Sequence, residues 1–208
     1  MSELKNYLMD DYRDTNKYLE KFSRSGLSAF APLIVSCAIT GANQGKEANM
    51  DLPETPEEQA QQTYDAYKAG ASIVHIHRRS SQNPAIMTAN PDEYREVNAM
   101  IREKCPEIII NNTAGGGKIR LMNGTVSPPG IVSLSACPEM ASFDISNFVA
   151  RATLKKRMAP LTGRDQDMVV EYVYGISPTE AEDFLKLAKQ YNIKPEYECF
   201  DIGDLQYL

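Results

Sequence analysis

Short apolar or alternating runs follow one another along the chain, separated by segments of helical periodicity. The strand-sized runs cover residues 33–39, 71–77, 107–112, 139–145 and 194–200. The third run contains three consecutive isoleucines, which predicts a strand that is buried on both faces. Strands that alternate with helices are typical of a parallel sheet or barrel. The pattern therefore predicts an α/β fold.

Each predicted helix begins at the same kind of signal. Thr55, Asn90 and Ser177 are suitable N-cap residues, and each is followed by proline and then by acidic residues in the first turn. These signals predict helices that end near residues 68, 104 and 191.

The remaining segments predict how the units are arranged. Residues 115–138 read as a long loop with a short strand-like stretch at 131–134, and residues 153–167 read as an insertion. Residues 1–30 predict an amphipathic helical leader or a mobile segment, followed by one domain over 31–208. Five β/α units predict a (β/α)8 TIM barrel that ends after its fifth unit, with an open parallel sheet as the alternative.

Composition narrows the class of protein. The 208 residues carry a net charge of -6, which argues against a nucleic-acid surface and favours small-molecule partners. No apolar stretch reaches the roughly 20 residues of a membrane span, and no secretory signal precedes the first strand. The four cysteines are widely separated and predict free thiols. A cytoplasmic enzyme without a membrane partner is expected.

The two histidines of the chain, His75 and His77, stand one residue apart at the end of the second predicted strand. Residues i and i+2 of a strand project from the same face, so both imidazoles are expected on one side of the sheet. Imidazole is a common zinc ligand, and a catalytic zinc takes three protein ligands. The pair predicts part of a metal site; the alternative is two polar strand-end residues that hydrogen-bond to their neighbours.

Other polar residues also gather at strand ends, where parallel α/β folds place their active sites. The third strand leads into a glycine run that offers backbone amides for a carboxylate or phosphate, or is simply a flexible turn. Glu196 and Glu198 share one face of the fifth strand, directed either toward the site or toward solvent.

Several of these segments together resemble the β-keto acid cleavage enzymes over residues 33–208. The segments that carry the resemblance are Ile39-Thr40-Gly41-Ala42, Thr55-Pro56-Glu57-Glu58, Val74-His75-Ile76-His77, Asn112-Thr113-Ala114-Gly115-Gly116 and Pro138-Glu139-Met140-Ala141-Ser142. The resemblance implies a zinc-dependent (β/α)8 barrel in which a β-keto acid reacts with acetyl-CoA to give acetoacetate and a new CoA thioester.

The resemblance also assigns roles to individual residues. It implies zinc binding by His75 and His77, and catalytic contacts to the substrate from Thr113, Ser142 and Glu198. The implied substrate-binding residues are Asn43, Arg79, Gly115 and Gly116. Asn43 replaces a carboxylate that holds an amine in the amino-substrate enzymes, which disfavours a cationic substrate.

The family's third zinc ligand and its catalytic Asp and Arg come from later strands, so we expect the 208 residues to hold at most half of the site. The complete form is expected to be a homo-oligomer. The alternatives are a zinc hydrolase of the amidohydrolase type, which would need further histidines, and an inactive truncated relative.

Overall fold

The computed structural model describes residues 20, 33–115, 118–121, 124 and 130–207. The chain divides into two compact units, Met1–Ile34 and Val35–Leu208. The predicted helical leader lies outside the described residues, apart from Glu20. No helix within the described ranges has the length and hydropathy to traverse a bilayer.

The larger unit contains the following strands and helices. The strands are β1 Ser36–Ala38, β2 Ile73–Ile76, β3 Ile109–Thr113, β4 Lys118–Leu121, β5 Met140–Asp144, β6 Phe148–Leu154, β7 Met168–Gly175 and β8 Lys194–Glu198. The helices are α1 Pro56–Lys68, α2 Pro91–Lys104 and α3 Pro178–Gln190. Two 3-10 helices cover Gly130–Ala136 and Ile202–Tyr207.

The five predicted strands form one parallel sheet in the order β1-β2-β3-β5-β8. Within this sheet each strand therefore lies beside the next in chain order, which confirms the predicted α/β fold with a parallel sheet.

The helices begin where the capping signals predict. Thr55 and Ser177 each form a capping box, in which the cap hydroxyl and a glutamate three residues later satisfy each other's backbone amides. Asn90 accepts a hydrogen bond from the amide of Asp92. These bonds satisfy amides that the first helical turn leaves without partners.

A second sheet was not predicted. Strands β4, β7 and β6 pair antiparallel in that order, so the segment interpreted as loop and insertion is partly a β-hairpin with an added strand. The prediction of a short strand-like stretch at 131–134 is wrong as well, because these residues lie in the 3-10 helix Gly130–Ala136, where Leu134 is buried. Short apolar runs do not distinguish strand from helix, because both conformations bury them.

Two apolar clusters stabilise the parallel sheet. The first joins strand residues such as Val74, Ile76 and Ile110 to Val97 and Ile101 of α2. The second is centred on Phe143 of β5 and Phe184 of α3, whose rings stack with their centroids 3.7 Å apart. Both clusters use alternate residues of the strands, which leaves the other face of the sheet for different side chains.

Candidate active site

The face of the parallel sheet opposite the apolar clusters is polar. Strand register aligns His75 with Asn111, Thr113 with Ser142, and Ser142 with Glu196. We use the name polar face for the side that carries His75, Asn111, Thr113, Ser142, Asp144, Glu196 and Glu198. The register of the strands thus brings together residues between positions 75 and 198 of the chain. For these residues, the structure meets the expectation that polar side chains at the strand ends converge.

His75 and His77 lie side by side on this face. Their Nε2 atoms are 2.9 Å apart, and Nδ1 of His77 lies 3.1 Å from the sulfur of Met87. Burial lowers the pKa of His75 against the opposing charges of Glu198 and Glu196. Burial, with His75 and Arg79 as further causes, lowers the pKa of His77 to about 3. Both imidazoles are therefore neutral at pH 7, the form that binds metals.

The two histidine nitrogens have the spacing of metal ligands, but they supply only part of a ligand set. Two nitrogen ligands of a tetrahedral zinc, each about 2.05 Å from the metal, lie about 3.3 Å apart, close to the observed Nε2 separation. A proton on Nδ1 of His77, directed at Met87, would leave its Nε2 free as a ligand. In the described part of the chain, however, no three His, Cys, Asp or Glu side chains are grouped to hold a metal ion. The pair supplies two donors of a larger set.

Amide and carboxyl groups extend the site toward β8. The side-chain amide of Asn111 donates a hydrogen bond to the carboxylate of Glu196. Glu198 pairs in register with Asp144, and the two side chains are hydrogen-bonded. Glu198, a predicted site residue, therefore lies on the polar face and acts electrostatically on His75.

The predicted hydroxyl residues occupy neighbouring strands. Thr113 ends β3 and Ser142 lies beside it in β5, and both are buried. The carbonyl of Thr113 accepts a hydrogen bond of 2.7 Å from Ser133 of the 3-10 helix, which anchors the strand end.

Gly115 follows β3 in a left-handed conformation with φ of 56°. Its carbonyl accepts hydrogen bonds from the hydroxyl of Tyr174, at 2.6 Å, and from the amide of Asp144, at 2.9 Å. The start of the glycine run is thereby tied to both sheets. Gly116 lies outside the described residues.

Arg79 is fully buried and binds the backbone after β1. Its guanidinium donates to the carbonyls of Gly41, at 2.6 Å, Ala42, at 3.0 Å, and Gln44. Arg79 thus holds the turn that carries Asn43, which is exposed. In this arrangement Arg79 shapes the turn around Asn43, while its predicted contact with a substrate stays a prediction.

A buried ionic cluster lies beyond this turn and has no counterpart in the sequence prediction. Arg157, from the connection between β6 and β7, donates to both carboxylate oxygens of Glu54, at 2.9 and 2.7 Å, and to Glu47. Arg164 donates to Glu47 at 2.7 Å. All four side chains are at most 8% exposed. The cluster fastens the hairpin connection to the segment that follows β1.

Sequence reasoning assigned no role to Asp144, Tyr174 or Met87. Asp144 was visible as a polar residue two positions after Ser142, and this period-two spacing was the signal that places it on the polar face. Tyr174 and Met87 carried no comparable signal, because Tyr174 comes from the unpredicted hairpin and Met87 from a loop.

Comparison with known proteins shows the family to which the chain belongs. A family model described as beta-keto acid cleavage enzyme matches residues 32–208. The chain belongs to this family. The resemblance identified from the sequence motifs is thus confirmed, over the segment that contains the whole parallel sheet.

Relatives of known name agree with the β-keto acid cleavage family. The 3-keto-5-aminohexanoate cleavage enzyme of Fusobacterium nucleatum is 32% identical over 177 residues, which cover 84% of this chain and 55% of the relative. The 3-dehydrocarnitine:acetyl-CoA trimethylamine transferase of Rhizobium meliloti is 29% identical over 181 residues, 87% of this chain and 59% of the relative. The 3-oxoadipate:acetyl-CoA acetyltransferase of Cupriavidus necator is 32% identical over 177 residues, 83% of this chain and 51% of the relative.

The chain spans about half the length of these curated relatives. Among solved structures, the apo structure of ObcA matches with a TM-score of 0.50 at 20% identity, covering 74% of this chain and 31% of that one. This likeness concerns the fold.

Proposed function

We propose that the protein is a β-keto acid cleavage acyltransferase, which converts a β-keto acid and acetyl-CoA into acetoacetate and a new acyl-CoA. Membership of the family supports this proposal. Two relatives are named as acetyl-CoA-dependent transferases acting on 3-dehydrocarnitine and 3-oxoadipate. The single observation that carries the proposal is the convergence of the two neutral histidines with polar side chains on one sheet face.

The five parallel strands are proposed to form part of a (β/α)8 barrel. Support comes from their neighbouring order in the sheet, which is the order of barrel strands, and from the fold likeness to ObcA. In such a barrel the polar face is the inner one, and its residues lie near the carboxyl ends of the strands. An open sheet would place ligands at the same strand ends.

His75 and His77 are proposed to hold zinc together with a third ligand outside the described residues. When bound, zinc would polarise the keto carbonyl and stabilise the oxyanion that forms during C–C cleavage. The hydroxyls of Thr113 and Ser142 face the same space and are proposed to donate hydrogen bonds to substrate oxygens. Glu198 is proposed to accept a hydrogen bond from the substrate or to orient His75 electrostatically.

The substrate carboxylate is proposed to bind at the glycine loop of Gly115 and Gly116, where backbone amides are not shielded by side chains. Asn43 and Arg79 are proposed to complete the substrate site. A neutral amide at Asn43 favours a substrate without a cationic amine, because asparagine supplies no compensating charge. Homo-oligomer assembly and a cytoplasmic location stay predictions from the sequence.

The test combines metal content with activity. Zinc is measured in the 208-residue chain and in the product of its complete reading frame, each with and without His75→Ala and His77→Ala. We expect about one zinc per active chain, and its loss in both variants. Loss of a β-keto acid is then measured with and without acetyl-CoA.

Consumption of the keto acid only with acetyl-CoA, with an acyl-CoA as product, supports the proposal. Consumption without acetyl-CoA would contradict it and would favour the hydrolase. That alternative is the weaker one, because the sequence contains only two histidines to bind metal. Absence of both zinc and turnover in the complete product would favour an inactive relative.

A further inference from the structure

Asp144 and Glu198 form a carboxyl pair on the polar face. They lie directly opposite each other on the adjacent strands β5 and β8. Their side chains are hydrogen-bonded to one another. Among the lysine and arginine side chains that the structure describes, none forms an ion pair with either carboxyl group. The pair therefore contrasts with the cluster at Arg157, where each carboxylate faces a guanidinium.

A hydrogen bond between two carboxyl groups requires a proton on one of them, because an ionised carboxylate only accepts. Among the side chains that the structure describes, the groups near the pair do not supply a compensating positive charge. Glu196 lies two residues from Glu198 and binds Asn111, His75 is neutral, and Tyr174 is a hydrogen-bond partner of Asp144.

We propose that Asp144 is a positioning residue that shares one proton with Glu198, so that the two carboxyl groups carry a single negative charge. Asp144 then donates to Glu198 and fixes the orientation of its carboxylate. The sharing of a proton stands without any assumption about the reaction, whereas its consequence for substrate binding rests on the proposed function.

The direction in which the pKa of Asp144 is shifted agrees with this geometry. Burial is the largest cause that raises the pKa of Asp144, followed by the hydrogen bond and the charge of Glu198, and together they bring it to about 7. The contact with the hydroxyl of Tyr174 acts in the opposite direction and lowers the pKa of Asp144. Because the two groups interact, the titration belongs to the pair.

The pair is also linked to the glycine loop. The amide of Asp144 and the hydroxyl of Tyr174 both donate to the carbonyl of Gly115. If that loop holds the carboxylate of a β-keto acid, a second negative charge on the pair would repel the substrate. Sharing a proton removes this charge, so Asp144 is expected to favour binding of anionic substrates below about pH 7.

The direct test is a carboxyl titration by ¹³C NMR of the 208-residue chain, without substrate or metal. We expect one carboxyl group to titrate near pH 7 and to disappear from the spectrum in Asp144→Asn. Glu198→Gln should lower the midpoint of Asp144 by roughly one pH unit or more, because it removes the neighbouring charge. As a matched control, Asp183→Asn alters an exposed carboxyl on α3 and should leave this titration in place.

A titration of Asp144 at the ordinary position of aspartate, near pH 4, would overturn the proposal. So would a midpoint that Glu198→Gln does not move. In the protein encoded by the complete reading frame, the KM for the β-keto acid should rise between about pH 6 and pH 8. This rise should vanish in Asp144→Asn. A purely structural role would change KM equally at both pH values. Because the NMR experiment needs no turnover, failure of the pair and failure of the proposed reaction are distinguishable.

Discussion

Replacement of Arg157 by methionine tests whether the buried ionic cluster is a structural link. The guanidinium donates to Glu54 and Glu47, and also to the carbonyl of Thr162 at 2.5 Å. Methionine retains most of the side-chain volume but none of these donors. Among the described residues, Glu54 would keep one hydrogen-bond donor, the amide of Lys46 at 2.7 Å, and its side chain is only 6% exposed.

The magnitude follows from the burial of the cluster. Removal of one partner of a buried ion pair costs about 3–5 kcal/mol, because the other charge is left uncompensated in a poorly solvated place. A domain of this size has a total stability of about 5–15 kcal/mol, so the loss is a large fraction of it. Exposed ion pairs contribute only about 0–1 kcal/mol. Arg151, which is 70% exposed and 3.4 Å from Glu171, is therefore a matched control.

The assay is equilibrium unfolding in urea, followed by circular dichroism, for Arg157→Met and Arg151→Met. We expect the first variant to lose about 3 kcal/mol or more and the second less than about 1 kcal/mol. The double variant Arg157→Met with Glu54→Gln should lose less than the sum of the single losses, because the orphaned charge is removed. Equal losses for Arg157→Met and Arg151→Met would refute the role of the cluster.

Three further predictions concern single sites. The folded protein loses stability as the pH rises from about 4 to about 7, because folding raises the pKa of the Asp144 carboxyl group. Asp144→Asn should therefore be no more stable than the unaltered chain near pH 3.5. At pH 8, thermal melts should show that the variant is more stable, by at most about 4 kcal/mol. Gly163→Ala should destabilise the protein by more than about 1 kcal/mol, because φ is 103° and a Cβ would approach the Asn83 side chain to 2.0 Å. Gly70→Ala is the matched control: φ is 107°, but the Cβ would meet open space, so this variant should lose less stability in the same melts. Thr55→Ala should cost about 1 kcal/mol in urea unfolding, and an unchanged midpoint would contradict the capping box.

The parallel sheet was predictable because its signals are local. Each helix start was marked by a cap residue, a proline and an acidic residue within four positions, and in the structure each helix begins at its predicted cap. The common face of His75 and His77 follows from the two-residue period of a strand and needs no tertiary information. These parts of the fold and site depend on neighbours in sequence.

The antiparallel sheet and the ionic cluster were not predictable for the opposite reason. Arg157 meets Glu54 and Glu47 across 103 and 110 residues, and no local pattern indicates which charges will pair. Strand β6 mixes charged, small and apolar residues, and it becomes a strand through pairing with β7. Asp144 likewise acquires its partner Glu198 only through the register of β5 and β8.

The parallel strands divide stability and chemistry between their two faces. Val74 and Ile76 belong to the apolar cluster, whereas His75 between them faces neutral or acidic groups. Val74→Ala should therefore cost about 2 kcal/mol or more of stability with little effect on bound metal, and His75→Ala should do the reverse. Substitutions that shifted both properties equally would show that the two faces are not independent.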